Sequence, residues 1–243
     1  GFDPKLFTRK VLNILFRKSN CKLISINNNL IDNIWKRKKK LSNKKFYSLP
    51  NNAVGHSYKE KIEKNIKYLK DIGADFHFIT ASENCSWLLN IRGQDSEYTP
   101  ITHGYILLEI KKNVNFFCNL KKINSTFKKK FKNINFIDIK FIKIFLCKKE
   151  NKKFILDKNT CSVFLEKFIM KNNKILDYND PIYLLKSVKA KKEIENIKKA
   201  HVYDGVALTK YLFWLKNNYL KKKITEISAE EKLYSFRKKN KFF

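Results

Sequence analysis

Hydrophobic periodicity changes at Gly73, and this switch constrains the fold more than any other feature of the chain. Ahead of it, Ile62, Ile66 and Leu69 recur at three- and four-residue steps, the spacing that lines one face of an α-helix. Ser57 stands where an N-cap belongs and Glu60 follows three residues later, the pattern of a capping box. After Gly73, Phe76, Phe78 and Ile79 read as a buried strand, and residues 103–110 turn strand-like again in a hairpin ending at Cys118. A Lys-rich helix at 120–131 and strands at 134–139 and 154–156 continue the alternation. Helices and strands that take turns in this way make an α/β domain.

The flanks are different in kind. Residues 6–17 carry a helical stripe of Leu6, Val11, Leu12, Leu15 and Phe16, followed by a strand at 22–26. A turn at Asn27, Asn28 and Asn29, a short helical turn at 30–35 and a lysine-rich solvated linker at 36–45 lead to a boundary near Asn51 and Asn52. The next boundary falls at Asn179-Asp180-Pro181, because the residue before proline is pushed toward extended geometry. Two helices follow it. The first repeats Ile194, Ile197, His201, Gly205, Leu208, Leu212 and Leu215 on one face, with Glu195 and Lys199 as an exposed i,i+4 pair. The second starts at Thr225 or Ser228. These limits predict domains over 1–52, 53–180 and 181–243. The last has apolar faces but no sheet to cover.

The densest stretch is 74–108. Trp87-Leu88-Leu89 is a second short apolar run, Arg92-Gly93 a tight reversal, and Asp95, Thr99 and Pro100 a loop. Thr80-Ala81, the run 87–93, Asp95, Pro100 and Tyr105 together resemble the three-domain Xaa-Pro aminopeptidases, of the pita-bread metallopeptidase family. The resemblance extends to Gly1-Phe2-Asp3-Pro4, residues 29–35, residues 199–208 and residues 225–228, in the family's order. Thr99 and His103-Gly104 depart from its usual residues at those places. The resemblance implies the end of a creatinase-type N-terminal domain, a complete middle α/β domain of the same type, and the first helices of a pita-bread catalytic domain. It also implies an activity: removal of the N-terminal residue from peptides with proline in second position. Proline's tertiary amide has no N–H for general peptidases to grip, which is why a specialist is needed.

In that family two divalent metal ions, usually manganese, are held by two Asp, one His and two Glu, and a bridging hydroxide attacks the scissile carbonyl. By matching order those ligands fall beyond Phe243, so no catalytic, substrate-binding or metal residue carries over to this chain, which alone is expected to be inactive. The resemblance further implies a cytoplasmic enzyme that forms a homodimer when complete. From other classes, two readings compete: a truncated, non-catalytic interaction module, and a basic nucleic-acid-binding protein.

Charge bears on the last of these. The 53 Lys and Arg against 22 Asp and Glu give a net charge of +31, yet the basic runs at 36–40, 128–130, 221–223 and 237–239 are scattered. Proteins that read bases gather their cations on one face and favour Arg, whereas here Lys dominates and Asn, Ile and Phe are inflated alongside it. Drift toward A- and T-rich codons accounts for all of these together, so no specific nucleic-acid partner is expected. With 43% apolar residues the chain has enough for a core. The five cysteines, at 21, 85, 118, 147 and 161, lack metal-ligand or C-x-x-C spacing and read as reduced, packed thiols. No stretch approaches eighteen apolar residues, so no membrane helix is expected.

Individual residues in the chemistry-bearing classes have structural readings. His201 lies on an apolar stripe and is expected to be a core histidine, with Asp204 in reach to orient it. Gly205 is expected at a close helix crossing. Trp87 belongs in the core rather than on a substrate platform. Arg92 and Asp95 are expected to pair across their turn. His56, His77 and His103 stand too far apart in sequence to read as a metal site.

Overall fold

The computed structural model describes residues 1–35, 42–50 and 52–240. The basic run at 36–40, part of the expected linker and the boundary residue Asn51 lie outside the described residues. The chain divides into two units, Gly1–Asn51 with His56–Val188, and Asn52–Gly55 with Lys189–Phe243.

The first unit opens with helices α1 (Arg9–Phe16) and α2 (Leu30–Ile34) and a short strand β1 (Tyr47–Ser48). Then follow α3 (Tyr58–Asp71), β2 (Phe76–Ile79), α4 (Ser82–Leu89), β3 (Ile91–Arg92), β4 (Gly104–Glu109) and β5 (Val114–Cys118). Next come α5 (Ser125–Lys130), β6 (Ile134–Asp138), α6 (Ile142–Cys147), β7 (Lys153–Leu156), α7 (Val163–Met170), β8 (Lys174–Asp177) and α8 (Ile182–Ser187). The helix expected at 57–70 is α3, with both halves of its capping box made: Ser57 Oγ accepts from Glu60 N and Glu60 Oε2 accepts from Ser57 N. Gly73 ends it at φ +64°, a conformation that glycine adopts without penalty.

Six strands form one sheet in the order β6-β5-β4-β2-β7-β8, in which β4 alone runs antiparallel to its neighbours. Side chains alternate across it. Phe76, Phe78, Leu107, Phe117, Phe154 and Leu156 face α6 and α7, packed on Ile142, Leu146, Leu165 and Ile169. Ile79, Ile106, Leu108, Phe116 and Ile155 face the other way, onto Ile62, Ile66 and Leu69 of α3, Leu88 and Leu89 of α4, and Phe127 of α5. The mixed α/β fold expected from the periodicity is therefore present.

One open reading is decided and two local expectations change. Trp87-Leu88-Leu89 is the last turn of helix α4; a short apolar run fits a buried helix as well as a strand, and burial of Cys85, Leu88 and Leu89 decides for the helix. The residues at 22–26 make only a bridge between Phe2 and Ser25. The helix expected at 120–131 is a single 3₁₀ turn at Leu120–Lys122 followed by α5.

The opening residues dock on α7. Val163 N donates to Phe7 O at 2.9 Å and Phe164 N to Pro4 O at 2.8 Å, while Arg9 Nε reaches both carboxylate oxygens of the buried Glu166 at 2.9 and 3.1 Å.

The second unit holds α9 (Lys191–Asn218) and α10 (Glu226–Lys238). Thr225 caps α10, with Ser228 at the third helical position. Together with α8, three helices rather than two follow Pro181 among the described residues. Arg237 clasps Asp204 through Nε–Oδ1 at 2.6 Å and Nη2–Oδ2 at 3.2 Å, so Asp204 does not orient His201. His201 is exposed, correcting the core reading, and its Nδ1 lies 3.1 Å from Ile197 O one turn back. A Cβ on Gly205 would meet nothing within 4 Å, so this glycine permits no close crossing. Glu195 pairs with Lys192 at 2.9 Å rather than with Lys199.

Candidate functional site

Open α/β sheets bind ligands beyond the carboxyl ends of their strands, where successive connections leave to opposite faces. In the first unit that place lies between β2 and β7, because α4 after β2 covers one face and α7 after β7 the other. The chain's own polar groups close it. Thr80 Oγ1 and Thr160 Oγ1 share a hydrogen bond of 2.7 Å across the gap. The buried Asp157 accepts from Asn159 N at 2.8 Å, Asn159 Nδ2 at 2.6 Å and Asp180 N at 3.1 Å. Asp180, also buried, accepts from Asn84 Nδ2 at 2.7 Å and from Ile182 N, the first N–H of α8, at 2.9 Å.

Lys186 Nζ donates to Asn84 Oδ1 at 2.6 Å, and Tyr183 Oη donates to Glu83 Oε1 at 2.9 Å. Burial and that acceptor raise the Tyr183 hydroxyl well above its ordinary pKa. Ile182 has no exposed surface. The residues from Asp180 into α8 thus occupy the crevice in which a ligand would sit, and both buried carboxylates are engaged by N–H donors.

A second cluster surrounds the loop after β3. Arg92 does not pair with Asp95: its Nη1 donates to Ser86 O at 2.9 Å and Ile91 O at 3.0 Å, because it lies back over the end of α4. Asp95 instead pairs with the buried Lys122 and accepts from His103 N at 2.7 Å. Gly93 is not left-handed; its role is steric, since a Cβ there would lie 2.9 Å from Ile101 O and 3.1 Å from the Phe46 ring. The left-handed residue at this corner is Asn90, at φ 55°. Farther along, Tyr98 is also left-handed, at φ 61°, and is 93% exposed. A hollow of about 630 Å³ beside it is lined by Lys44, Tyr47, Asp95, Glu97, Tyr98 and Pro100. Tyr105 is half-buried 6.0 Å from Phe78, and burial raises its pKa.

Trp87 is half-buried against the core, with Lys61 Nζ 4.0 Å from its ring centroid. Lys61 itself is buried and donates to Trp87 O at 3.0 Å and Asn90 Oδ1 at 2.5 Å, closing the end of α4. Sequence reasoning missed Lys61, and it missed Asn84, Asp157, Asp180 and Lys186 as a connected set; the one local signal was an Asp directly ahead of Pro181.

The three histidines stay apart: His56 lies beside Lys64, His103 is exposed beside Ser96, and His77 is fully buried. Cys85, Cys118 and Cys161 are buried, which raises each thiol, Cys118 to about 12. Among the described residues no three His, Cys, Asp or Glu converge as metal ligands, so this stretch offers no donor set that fits a dinuclear metal centre. No described helix is long and apolar enough to cross a membrane.

Residues 37–193 match the model of the Creatinase/Prolidase N-terminal domain. A probable Xaa-Pro aminopeptidase P of Paracoccidioides lutzii is 29% identical, over 100% of this chain and 42% of its own length. The Xaa-Pro aminopeptidase ApepP of Drosophila melanogaster is also 29% identical, over 98% of this chain and 40% of its own. The chain therefore spans about two fifths of the length of these relatives. Among solved structures, the X-prolyl aminopeptidase of Caenorhabditis elegans, described as a cytosolic enzyme with a di-nuclear active site, superposes with a TM-score of 0.87 at 23% identity. That match covers 99% of this chain and 41% of the worm protein. An Xaa-Pro dipeptidase from Bacillus anthracis gives 0.55 at 16% identity, over 75% of this chain and 49% of its own. The chain belongs to the Creatinase/Prolidase N-terminal domain family.

Proposed function

We propose that this chain is part of a metal-dependent aminopeptidase that releases the N-terminal residue of peptides with proline in second position. The observation that carries the reading is that relatives matched across essentially the whole chain are named Xaa-Pro aminopeptidases. The described residues supply no donor set for the metals, so we place the catalytic centre outside this stretch, with two divalent ions, the manganese pair of the resembled family, as its cofactor. Within the complete protein the stretch serves as scaffold, a role that suits a sheet whose ligand crevice is filled by its own chain. We further infer a cytoplasmic location, in line with the description of the worm enzyme, a homodimeric assembly, and domain limits at 1–52, 53–180 and 181–243.

The test compares two proteins on an Xaa-Pro peptide with added manganese: the 243-residue chain, and a product of the same gene that also carries the region its relatives possess beyond the matched two fifths. Release of the N-terminal residue is expected from the longer product alone, and a chelator is expected to abolish it. Metal-dependent turnover by the 243-residue chain would overturn the placement of the centre. An inert longer product would overturn the aminopeptidase reading itself.

A further inference from the structure

Two buried side-chain polar atoms have no hydrogen-bond partner among the described residues, Asn65 Nδ2 and His77 Nε2, and both belong to one string of contacts. His77, fully buried in β2, has its Nδ1 3.0 Å from Asn65 Oδ1 on α3 and its Nε2 3.4 Å from Asp180 Oδ1. If the ring proton sits on Nδ1, a bare Nε2 lone pair faces a carboxylate while an amide N–H lies idle beside the ring. Half a turn of the Asn65 amide exchanges its oxygen and nitrogen, which have the same shape. Asn65 Nδ2 then donates to His77 Nδ1, and the ring proton moves to Nε2, whose nearest carboxylate oxygen is Asp180 Oδ1 at 3.4 Å. One idle carbonyl replaces an idle donor and a repulsive contact, and a carbonyl tolerates this better.

We propose that His77 is the Nε2–H tautomer and that, by donating to Asp180, it acts as a proton-sensitive latch on the start of α8. Asp180 is the right residue to hold. It accepts from Ile182 N, the first N–H of α8, receives Asn84 from α4, and donates its own N–H to Asp157 at the end of β7. A donor from β2 adds the central strand to that junction. The groups facing His77 come from every neighbouring element. Leu108 of β4 and Ile155 of β7 flank it in register, α3 contributes Asn65, and Asn84 of α4, which Lys186 of α8 engages, reaches it through Asp180. Asp180 and Asp157 favour the imidazolium, but burial opposes it more strongly and lowers the ring's affinity for a proton. When acid forces a second proton onto the ring, Nδ1 must donate, Asn65 must turn back, and a buried cation strains the junction that starts α8.

Nitrogen-15 spectra of the imidazole in the 243-residue chain at neutral pH report the tautomer directly. A proton on Nε2 alone is expected; a proton on Nδ1 alone, or on both nitrogens, would overturn the proposal. Two variants test the latch, because a Gln amide nitrogen reaches the position of Nε2 and an Asn amide nitrogen that of Nδ1. Amide exchange is followed in Ile182–Ser187, with β2, β4 and β5 as the internal control. H77N is expected to lose protection in α8 by about tenfold or more, while H77Q keeps it within about threefold. Below pH 6.5 the protection of α8, corrected for intrinsic exchange, is expected to fall in the unsubstituted chain and to hold in H77Q. Equal protection in the two variants would overturn the latch. Should H77N unfold the control strands, the tautomer and the pH profile of H77Q decide.

Discussion

Replacing Trp87 by Ala tests whether the ring is core or platform, and Lys61 makes the test quantitative. A half-buried Trp covers about 150 Å², which at about 25 cal/mol per Å² is worth roughly 4 kcal/mol. A desolvated ammonium over the ring adds about 1–2 kcal/mol, and Lys61 is buried 4.0 Å from the centroid. Trp87→Ala should therefore cost about 3–5 kcal/mol, after allowance for the apolar contact that a real unfolded chain retains. Lys61→Met keeps the bulk but strips the donor from Trp87 O and Asn90 Oδ1, at about 1–3 kcal/mol for each buried acceptor. The double variant isolates the ring–ammonium coupling at about 1–2 kcal/mol.

Urea unfolding of the 243-residue chain, followed through amides of β2, β4 and β5, is the assay. With an m-value of about 1–3 kcal/mol/M, Trp87→Ala should move the midpoint by about 1 M or more. A shift equivalent to less than about 1 kcal/mol together with zero coupling would refute the reasoning, and would make the ring a solvent-facing platform.

Two glycines should respond with opposite signs: Gly93→Ala is expected to lower the urea midpoint by about 1–3 kcal/mol equivalent, because its Cβ would strike Ile101 O and Phe46. Gly205→Ala, with open space around it in a helix interior, should stabilise α9 by about 0.5–1 kcal/mol, measured as helical content on heating. The first unit should weaken as pH falls below about 6.5: folding lowers the proton affinity of His77 from its ordinary 6.5, so the unfolded chain binds more protons there and stability rises with pH. Urea midpoints at pH 7.5 and 5 check the sign, and H77Q should flatten the difference. Any DNA or RNA binding should be non-specific and fall steeply with salt, since +31 offers backbone neutralisation alone; a sequence preference in competition at physiological salt would contradict this.

What the sequence determined by itself was local. Ser57, Glu60 and the 62–66–69 spacing specify α3 and its cap, Gly73 its end, and alternation the β4–β5 hairpin, because each rests on contacts within a few residues. The family was legible for another reason: separated blocks in a fixed order carry information that periodicity does not. Tertiary structure decided the rest. Residues 87–89 became helix because Cys85, Leu88 and Leu89 bury against the sheet, a contact that a three-residue apolar run leaves undetermined. The stripe through His201 specifies an apolar face but not what covers it, and in this unit His201 meets solvent. The polar junction was the least legible part. Asp180 meets Asn84 across 96 residues and Lys186 meets Asn84 across 102, while His77 takes its environment from α3, β7 and the segment before α8. Apart from the proline after Asp180, nothing in the neighbourhood of those residues distinguishes them from solvated polar side chains. Their partners, burial and proton affinity arise only when the sheet order places the ends of β2 and β7 side by side.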